Sequence, residues 1–178
     1  LWFPDHLSSC LACLRRTGAD MVYGIGAVMT AAGGIEINCI SRGDTYQPYA
    51  TVPASLWLFT RDLWDSSGPW RFSREIYSIP SQEWLWRCYR NGAKIQMVPH
   101  VTAVHFPSGF RKGSYANAED TEFEQVADAL TANPRHYRQE LITRALIKYA
   151  DAPYMIRPAA GLKKILKGIF YSACQRLA

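Results

Sequence analysis

The residue types with the most chemical potential lie together at residues 81–87, which read SQEWLWR. Glu83 supplies a carboxylate, Trp84 an indole face and Arg87 a guanidinium, all within about two helical turns. An indole can stack on a sugar ring through its apolar face, while a carboxylate accepts a hydroxyl proton. We therefore interpret Glu83 as a candidate general base acting on a sugar-type hydroxyl, with Trp84 and Arg87 beside it.

Each of these residues also has an ordinary structural interpretation. The helix dipole favours a carboxylate such as Glu83 in a first turn, whether or not it is functional. Arg87 follows at i+4, so it either orients that carboxylate, meets a phosphate or forms a plain salt bridge. Trp84 and Trp86 point to different faces of the predicted helix. We predict that Trp84 lines an acceptor site and that Trp86 packs into the core.

Composition limits the class of protein. The chain has 178 residues, 48% of them hydrophobic, and a formal net charge of +5. These values suit one globular domain with a sizeable core, mildly disposed towards anionic partners. The basic residues are scattered and do not interleave with aromatic ones, which argues against a nucleic-acid partner. We find no signal peptide and no apolar run of membrane-spanning length.

The five cysteines indicate a reduced compartment, because the count is odd and the spacing forms no disulfide framework. We therefore expect a cytoplasmic protein. Cys10 and Cys13 form a CxxC, yet no second pair follows that would complete a zinc site. Both lie in an apolar helical pattern, which favours buried thiols of the core.

Helical and strand patterns alternate along the chain, which predicts an α/β fold. Asp5 can cap the first helix and Ser81 the third, while residues 26–34 suggest a flexible, small-residue loop. The predicted helices lie at about 6–16, 61–64, 82–91, 119–132, 134–150 and 158–177. The predicted strands lie at about 19–24, 35–40, 53–59, 94–98 and 102–105, with 35–40 at an edge.

The order of several short motifs resembles the acceptor-side half of a family 2 glycosyltransferase of the GT-A fold. LWFPDHL at residues 1–7 is similar to a stretch that follows that family's aspartate motif, and QEWLWR at residues 82–87 is similar to its acidic pair and W-x-x-W-x-R. GAKI at residues 92–95, a turn at Pro99 and a strand ending in His105 complete the pattern. The resemblance covers roughly residues 1–115.

Two features depart from the family pattern. Gln82 stands where the family usually has a first acid, so Glu83 is the one carboxylate of the pair. The aspartate motif that binds metal and nucleotide is absent, as is the processive signature Q-x-x-R-W. We therefore expect residues 1–118 to be the acceptor-side part of a GT-A-like domain, a mixed sheet flanked by helices that lacks the N-terminal nucleotide-binding half. Residues 119–178 would then be a helical C-terminal extension.

The resemblance implies transfer of a sugar from a nucleotide-sugar donor to a hydroxyl of a carbohydrate or lipid-linked acceptor, with inversion. Glu83 would be the catalytic base, and Trp84 and Arg87 would bind the acceptor. The 178-residue chain alone is expected to be inactive, because the Asp-x-Asp half is missing. The alternative is a non-catalytic sugar- or protein-binding module derived from such a domain.

The same resemblance implies Mn²⁺ or Mg²⁺ as cofactor, with His105 as a metal or pyrophosphate contact. Arg111, Lys112 and Tyr115 lie in a Gly- and Ser-containing loop that could close over the donor diphosphate. The ordinary alternatives are a structural histidine and a solvated basic loop.

The end of the chain combines lysines with aliphatic and aromatic residues. Residues 158–178 include Lys163, Lys164 and Lys167 among Ile165, Leu166, Ile169 and Phe170. Such a helix is typical of a peripheral membrane contact, which would suit a lipid-linked acceptor. A helix packed on the domain or on a partner has the same pattern.

Overall fold

The computed structural model of the chain describes residues 1–48, 50–107 and 121–150. Within these residues the fold is α/β, as the alternating patterns predict, with one four-stranded sheet. The helices are α1 (His6–Thr17), α2 (Arg61–Ser67), α3 (Pro80–Arg90), α4 (Thr121–Ala132) and α5 (Pro134–Ala150). The strands are β1 (Met21–Met29), β2 (Ile35–Asn38), β3 (Trp57–Phe59) and β4 (Ile95–His105). Short 3₁₀ turns lie at Arg42–Asp44, Ala54–Leu56 and Ser73–Glu75.

Strand β1 is the centre of the sheet. Strand β4 runs parallel to it along one side, from the pair Met21 and Ile95 to the pair Val28 and His105. Strands β3 and β2 share the other side, both antiparallel, so that β3 pairs with the first half of β1 and β2 with the second. A strand buried on both faces needs a nearly continuous apolar sequence, which β1 has.

Two strand boundaries differ from the sequence prediction, because the sheet accommodates a proline and two glycines that were expected to end strands. The strands predicted at 94–98 and 102–105 are one strand, β4, which passes through Pro99. The register with β1 shifts beside Pro99, and such irregularities are where a sheet accommodates proline. Strand β1 continues through Gly24 and Gly26 to Met29, so the loop predicted at 26–34 begins only after residue 29.

Other boundaries moved by a few residues. The strand predicted at 53–59 begins as the 3₁₀ turn Ala54–Leu56, and only Trp57–Phe59 pairs in the sheet. Helix α3 starts at Pro80, with Ile79 rather than Ser81 at the N-cap. Proline is well suited to the first helical position, since its fixed φ is helical and no partner is needed for the missing N–H. Asp5 occupies the N-cap of α1 without a capping side-chain hydrogen bond.

The two faces of β1 belong to two different apolar clusters. Its odd-numbered residues pack into the larger core together with Trp84, Leu85 and Cys88 of α3. Val22 packs with Cys10 and Cys13 of α1 into the smaller one. Both thiols are buried and free, and burial, followed by Cys13 and Asp5, raises the pKa of Cys10 to about 11. The prediction of core thiols is confirmed.

Helices α4 and α5 lie within one or two residues of their predicted positions. They contribute Val126, Leu130, Tyr137, Leu141 and Ala145 to the same larger core as β1. The boundary expected near residue 118 falls outside the described residues. Among those that are described, no helix has both the length and the apolar content to cross a membrane.

Candidate active site around Glu83

Glu83 lies in the first turn of α3 and is almost fully buried, with 5% of its surface exposed. Its backbone N–H donates to the carbonyl of Ile79 at 3.1 Å, which fixes it at the start of the helix. Burying a carboxylate is costly unless hydrogen bonds or an opposite charge offset the lost hydration. The surroundings of Glu83 provide both.

Arg87 supplies that opposite charge across one turn of α3. Its Nε donates to Oε1 of Glu83 at 3.0 Å and its Nη2 donates to Oε2 at 3.1 Å. The same guanidinium donates to the backbone carbonyls of Ser67, the last residue of α2, and of Pro69, two residues further on. Arg87 therefore orients Glu83 through a salt bridge and also fastens α3 to the end of α2 and the residues that follow it.

A second arginine approaches Glu83 from the solvent side. Nη1 of Arg71 lies 3.7 Å from Oε1 of Glu83, and half of the Arg71 side chain is exposed. One edge of the carboxylate is thus covered by a side chain that can move away into water. This is the direction from which a hydroxyl could reach Glu83.

Gln82 has a structural role that sequence reasoning missed. Its side-chain nitrogen donates to the carbonyl of Val52 at 2.6 Å, and its side-chain oxygen accepts from the N–H of Val52 at 3.0 Å. Only an amide can donate and accept in this way, since an ionised carboxylate accepts only. The sequence signal for this role was the amide at position 82, where the family pattern has an acid.

Trp84 is the core member of the tryptophan pair, which corrects its expected place in an acceptor site. It is completely buried, and its Nε1 donates to the carbonyl of Gly68 at 2.7 Å. Its ring packs against Trp57 at 5.8 Å and Phe59 at 5.0 Å between centroids. Trp86 is the partly exposed member, with Arg90 over its ring. In this structure Trp84 offers no surface to an acceptor.

His105 ends β4, at the carboxyl edge of the parallel strand pair. Its Nε2 is buried without a hydrogen-bond partner among the described residues. Burial, followed by the charges of the N-terminal amino group and of His6, lowers its pKa, which favours the neutral imidazole. Gly26 makes room for this ring, because a Cβ there would lie 2.8 Å from Cδ2 of His105.

A neutral imidazole with a free nitrogen suits a metal ligand, so His105 by itself fits the expected role. A complete metal site needs further ligands beside His105. Across residues 1–48, 50–107 and 121–150, no three His, Cys, Asp or Glu side chains come together to hold an ion. His105 is the one predicted ligand in the described part of the chain.

Residues 1–3 pair along the far side of β4, which the sequence pattern did not predict. The N–H of Phe3 donates to the carbonyl of Thr102 at 2.9 Å, and the N–H of Val104 donates to the carbonyl of Leu1 at 2.8 Å. His6 follows, stacked on Trp2 with 4.4 Å between ring centroids. It is buried, and neither ring nitrogen has a partner among the described residues.

The other predicted site residues, Arg111, Lys112 and Tyr115, lie outside the described residues, as does the predicted helix at 158–177. The structure therefore brings Glu83 and Arg87 together and positions His105 at a strand end.

Comparison of the chain with protein-family models, with curated proteins and with solved structures finds no match.

Proposed function

We propose that this chain is the acceptor-side part of a nucleotide-sugar-dependent glycosyltransferase of the GT-A type, which transfers a sugar to a hydroxyl with inversion. The proposal rests on the order of the motifs in the sequence. The mixed sheet, with a parallel β1 and β4 flanked by helices, is compatible with it. The donor would be a nucleotide sugar, and the acceptor a carbohydrate or lipid-linked hydroxyl.

The observation that best supports the proposal is the pairing of the buried Glu83 carboxylate with Arg87. An inverting transfer needs a base that is ionised and fixed within hydrogen-bond reach of the attacking hydroxyl. The charge of Arg87 opposes the cost of burying the Glu83 carboxylate, and two hydrogen bonds fix its plane. Arg71 covers it only loosely. Glu83 is the base in this proposal, and Arg87 positions it.

The same contacts favour the second candidate, a non-catalytic sugar- or protein-binding module. Both oxygens of Glu83 are already bonded to Arg87, as in a salt bridge whose role is to join α3 to the segment after α2. No base is needed in such a module. The two functions differ in whether removing the charge of Glu83 abolishes chemistry or only weakens the fold.

His105 would contact the metal or pyrophosphate, with Mn²⁺ or Mg²⁺ as cofactor, and Arg111, Lys112 and Tyr115 would contact the diphosphate. The four cysteines among the described residues are free and buried, which is compatible with the cytoplasmic placement. These assignments follow from the resemblance.

The test is a donor screen on the full-length protein that contains this chain, with Mn²⁺ and with Mg²⁺. Glu83→Gln should lower kcat by about a hundredfold or more, with donor affinity nearly unchanged. Glu140→Gln is the matched control, since Glu140 also pairs with an arginine at i+4 but is half-exposed. It should keep full activity. Sugar transfer that survives Glu83→Gln would remove Glu83 as the base, and a full-length protein with no donor binding would favour the module.

A further inference from the structure

The segment between α2 and α3 holds an unusual concentration of exposed apolar side chains. Residues 68–79 read GPWRFSREIYSI. The exposed fractions are 44% for Trp70, 68% for Phe72, 71% for Tyr77 and 58% for Ile79. Single exposed apolar residues are ordinary on a protein surface, but four within a dozen positions of one loop indicate an interaction surface. We name residues 68–79 the aromatic loop.

The aromatic loop also carries a positive charge. It contains Arg71 and Arg74 against one acid, Glu75. Oε2 of Glu75 accepts from the N–H of Phe72 at 3.3 Å, so that carboxylate is turned towards the loop's own backbone. The guanidinium of Arg74 lies over the ring of Phe72, 5.2 Å from its centroid. Cation and aromatic ring are thus presented together.

The first residues of the aromatic loop are fixed to the core. Trp70 meets Trp57 edge-on at 6.4 Å, and Trp57 stacks on buried Trp84. The carbonyls of Gly68 and Pro69 accept from Trp84 and Arg87. The beginning of the aromatic loop is therefore fixed, while Phe72, Tyr77 and Ile79 are the more exposed of its apolar side chains.

The chemistry of the exposed set distinguishes between partners. Recognition of a free sugar usually needs planar amide or carboxylate groups that hydrogen-bond the hydroxyls. The aromatic loop contains no Asn, Gln or Asp, and its single Glu is engaged. Aromatic rings, an aliphatic side chain and arginines are instead the set that partitions into the interface of an anionic membrane.

We propose that the aromatic loop docks this chain onto an anionic lipid surface. Phe72, Tyr77 and Ile79 enter the boundary between headgroups and acyl chains, and Arg74 pairs with lipid phosphate. Because Arg71 reaches Glu83, docking presents the Glu83 side of the molecule to the membrane surface. The proposal goes beyond the proposed function, since docking needs neither donor nor catalysis.

The first experiment locates the surface that enters lipid. An environment-sensitive fluorophore is attached to the 178-residue chain at Tyr77→Cys, or at Ile40→Cys as control, with Cys174 replaced by serine. Ile40 is 64% exposed but lies outside the loop. Phosphatidylcholine vesicles containing phosphatidylglycerol should shift the emission to the blue at position 77 and leave position 40 unchanged.

The second experiment measures the partition coefficient by co-sedimentation. Phe72→Ser combined with Ile79→Ser should weaken vesicle binding by about tenfold or more. Arg74→Gln should weaken it by about fivefold on anionic vesicles only. Ile40→Ser should have little effect, and Glu140→Gln, at a half-exposed acid outside the loop, should bind vesicles like the unmodified chain. Vesicle binding requires neither donor nor sugar transfer, which separates this proposal from the proposed function.

Three results would each overturn the proposal. The first is that the chain sediments with no vesicle under any salt condition. The second is vesicle binding with no change at position 77, which would assign the contact to another part of the chain, such as residues 158–178. The third is a fluorophore response at position 77 to a soluble oligosaccharide and not to lipid, which would make the aromatic loop a carbohydrate site.

Discussion

Arg87 holds Glu83 through two hydrogen bonds, from Nε at 3.0 Å and Nη2 at 3.1 Å, across one turn of α3. Both side chains are largely inside the protein, with 17% of Arg87 and 6% of Glu83 exposed. A pair of this kind contributes little compared with apolar residues of equal volume, but breaking it leaves a buried charge without a partner. Its main consequence is geometric, because it joins α3 to Ser67 and Pro69.

Removal of Arg87 should therefore destabilise the protein more than removal of the charge on Glu83. Arg87→Ala leaves a buried carboxylate and should lower the free energy of unfolding by about 3 kcal/mol. Glu83→Gln keeps a side chain of the same shape and should lower it by about 1 kcal/mol. Urea unfolding followed by circular dichroism measures both values.

Arg144→Ala is the control for this comparison, since Arg144 pairs with Glu140 at the same i,i+4 spacing on the surface. Its cost should be below about 0.5 kcal/mol. If Arg87→Ala and Arg144→Ala lower the free energy of unfolding by the same amount, the Glu83–Arg87 pair is effectively solvated. That result would contradict the assignment of Glu83 as a fixed base.

Truncation of Trp84 should destabilise the protein much more than truncation of Trp70. Trp84→Ala removes a fully buried ring from the cluster with Trp57 and Phe59 and should cost about 3–5 kcal/mol. Trp70→Ala removes a half-exposed ring and should cost less than about 1.5 kcal/mol. Equal losses of unfolding free energy for the two variants would contradict this assignment of core and surface.

The pattern of apolar residues was enough to predict the α/β class and the approximate positions of α1, α3, α4 and α5. It failed at β1 and β4, where Gly24, Gly26 and Pro99 suggested breaks. Those breaks are absent because the glycines receive side chains from the neighbouring strands, and the proline lies at a shift of register. Such reasons depend on contacts between residues far apart in sequence, which local patterns do not contain.

The candidate site was also predictable only where local patterns decide it. The spacing of Glu83 and Arg87 correctly indicated a pair, because i and i+4 are neighbours on any helix. Which of Trp84 and Trp86 is buried depended on where β3 places Trp57 and Phe59, and the sequence carries no sign of that. The amide at position 82 indicated a role for Gln82, but its partner Val52 lies thirty positions away and could not be identified from local patterns.

Gly24 should be intolerant of a side chain because Thr102 occupies the space above it. A Cβ on residue 24 would overlap Oγ1 of Thr102 and lie 2.9 Å from its Cβ. Gly24→Ala should cost about 1–3 kcal/mol through overpacking. Thr102→Ala in the same chain removes Oγ1 and Cγ2 of residue 102, which include the atom that overlaps most, and should recover much of that loss.

Two further variants test this explanation. Gly18→Ala, at a helix end with φ of 59° and open space, should cost only about 1 kcal/mol. Thr102→Val alone should be neutral or slightly stabilising, because Oγ1 of Thr102 is buried without a partner among the described residues. Failure of Thr102→Ala to rescue Gly24→Ala would show that the cost comes from the backbone rather than from the overlap.

Acidification should destabilise the protein in the range where free histidine titrates. Burial lowers the pKa values of His6, His100 and His105 below their usual 6.5, although nearby Asp5 partly offsets this for the first two, and Arg138 adds to it for His100. Below pH 6.5 the unfolded chain therefore binds more protons than the folded one. The stabilisation is complete above 6.5 and is lost as the pH falls towards the lower folded values. Unfolding free energies from urea titrations should change little between about pH 7.5 and about pH 6.5 and should fall as the pH is lowered further to about 5.5. His100→Gln should flatten the slope, and the replacement should be tolerated because the ring is partly exposed and its Nε2 lies 3.2 Å from Oγ of Ser9. A slope that does not change in His100→Gln would show that this imidazole is not a source of the pH dependence.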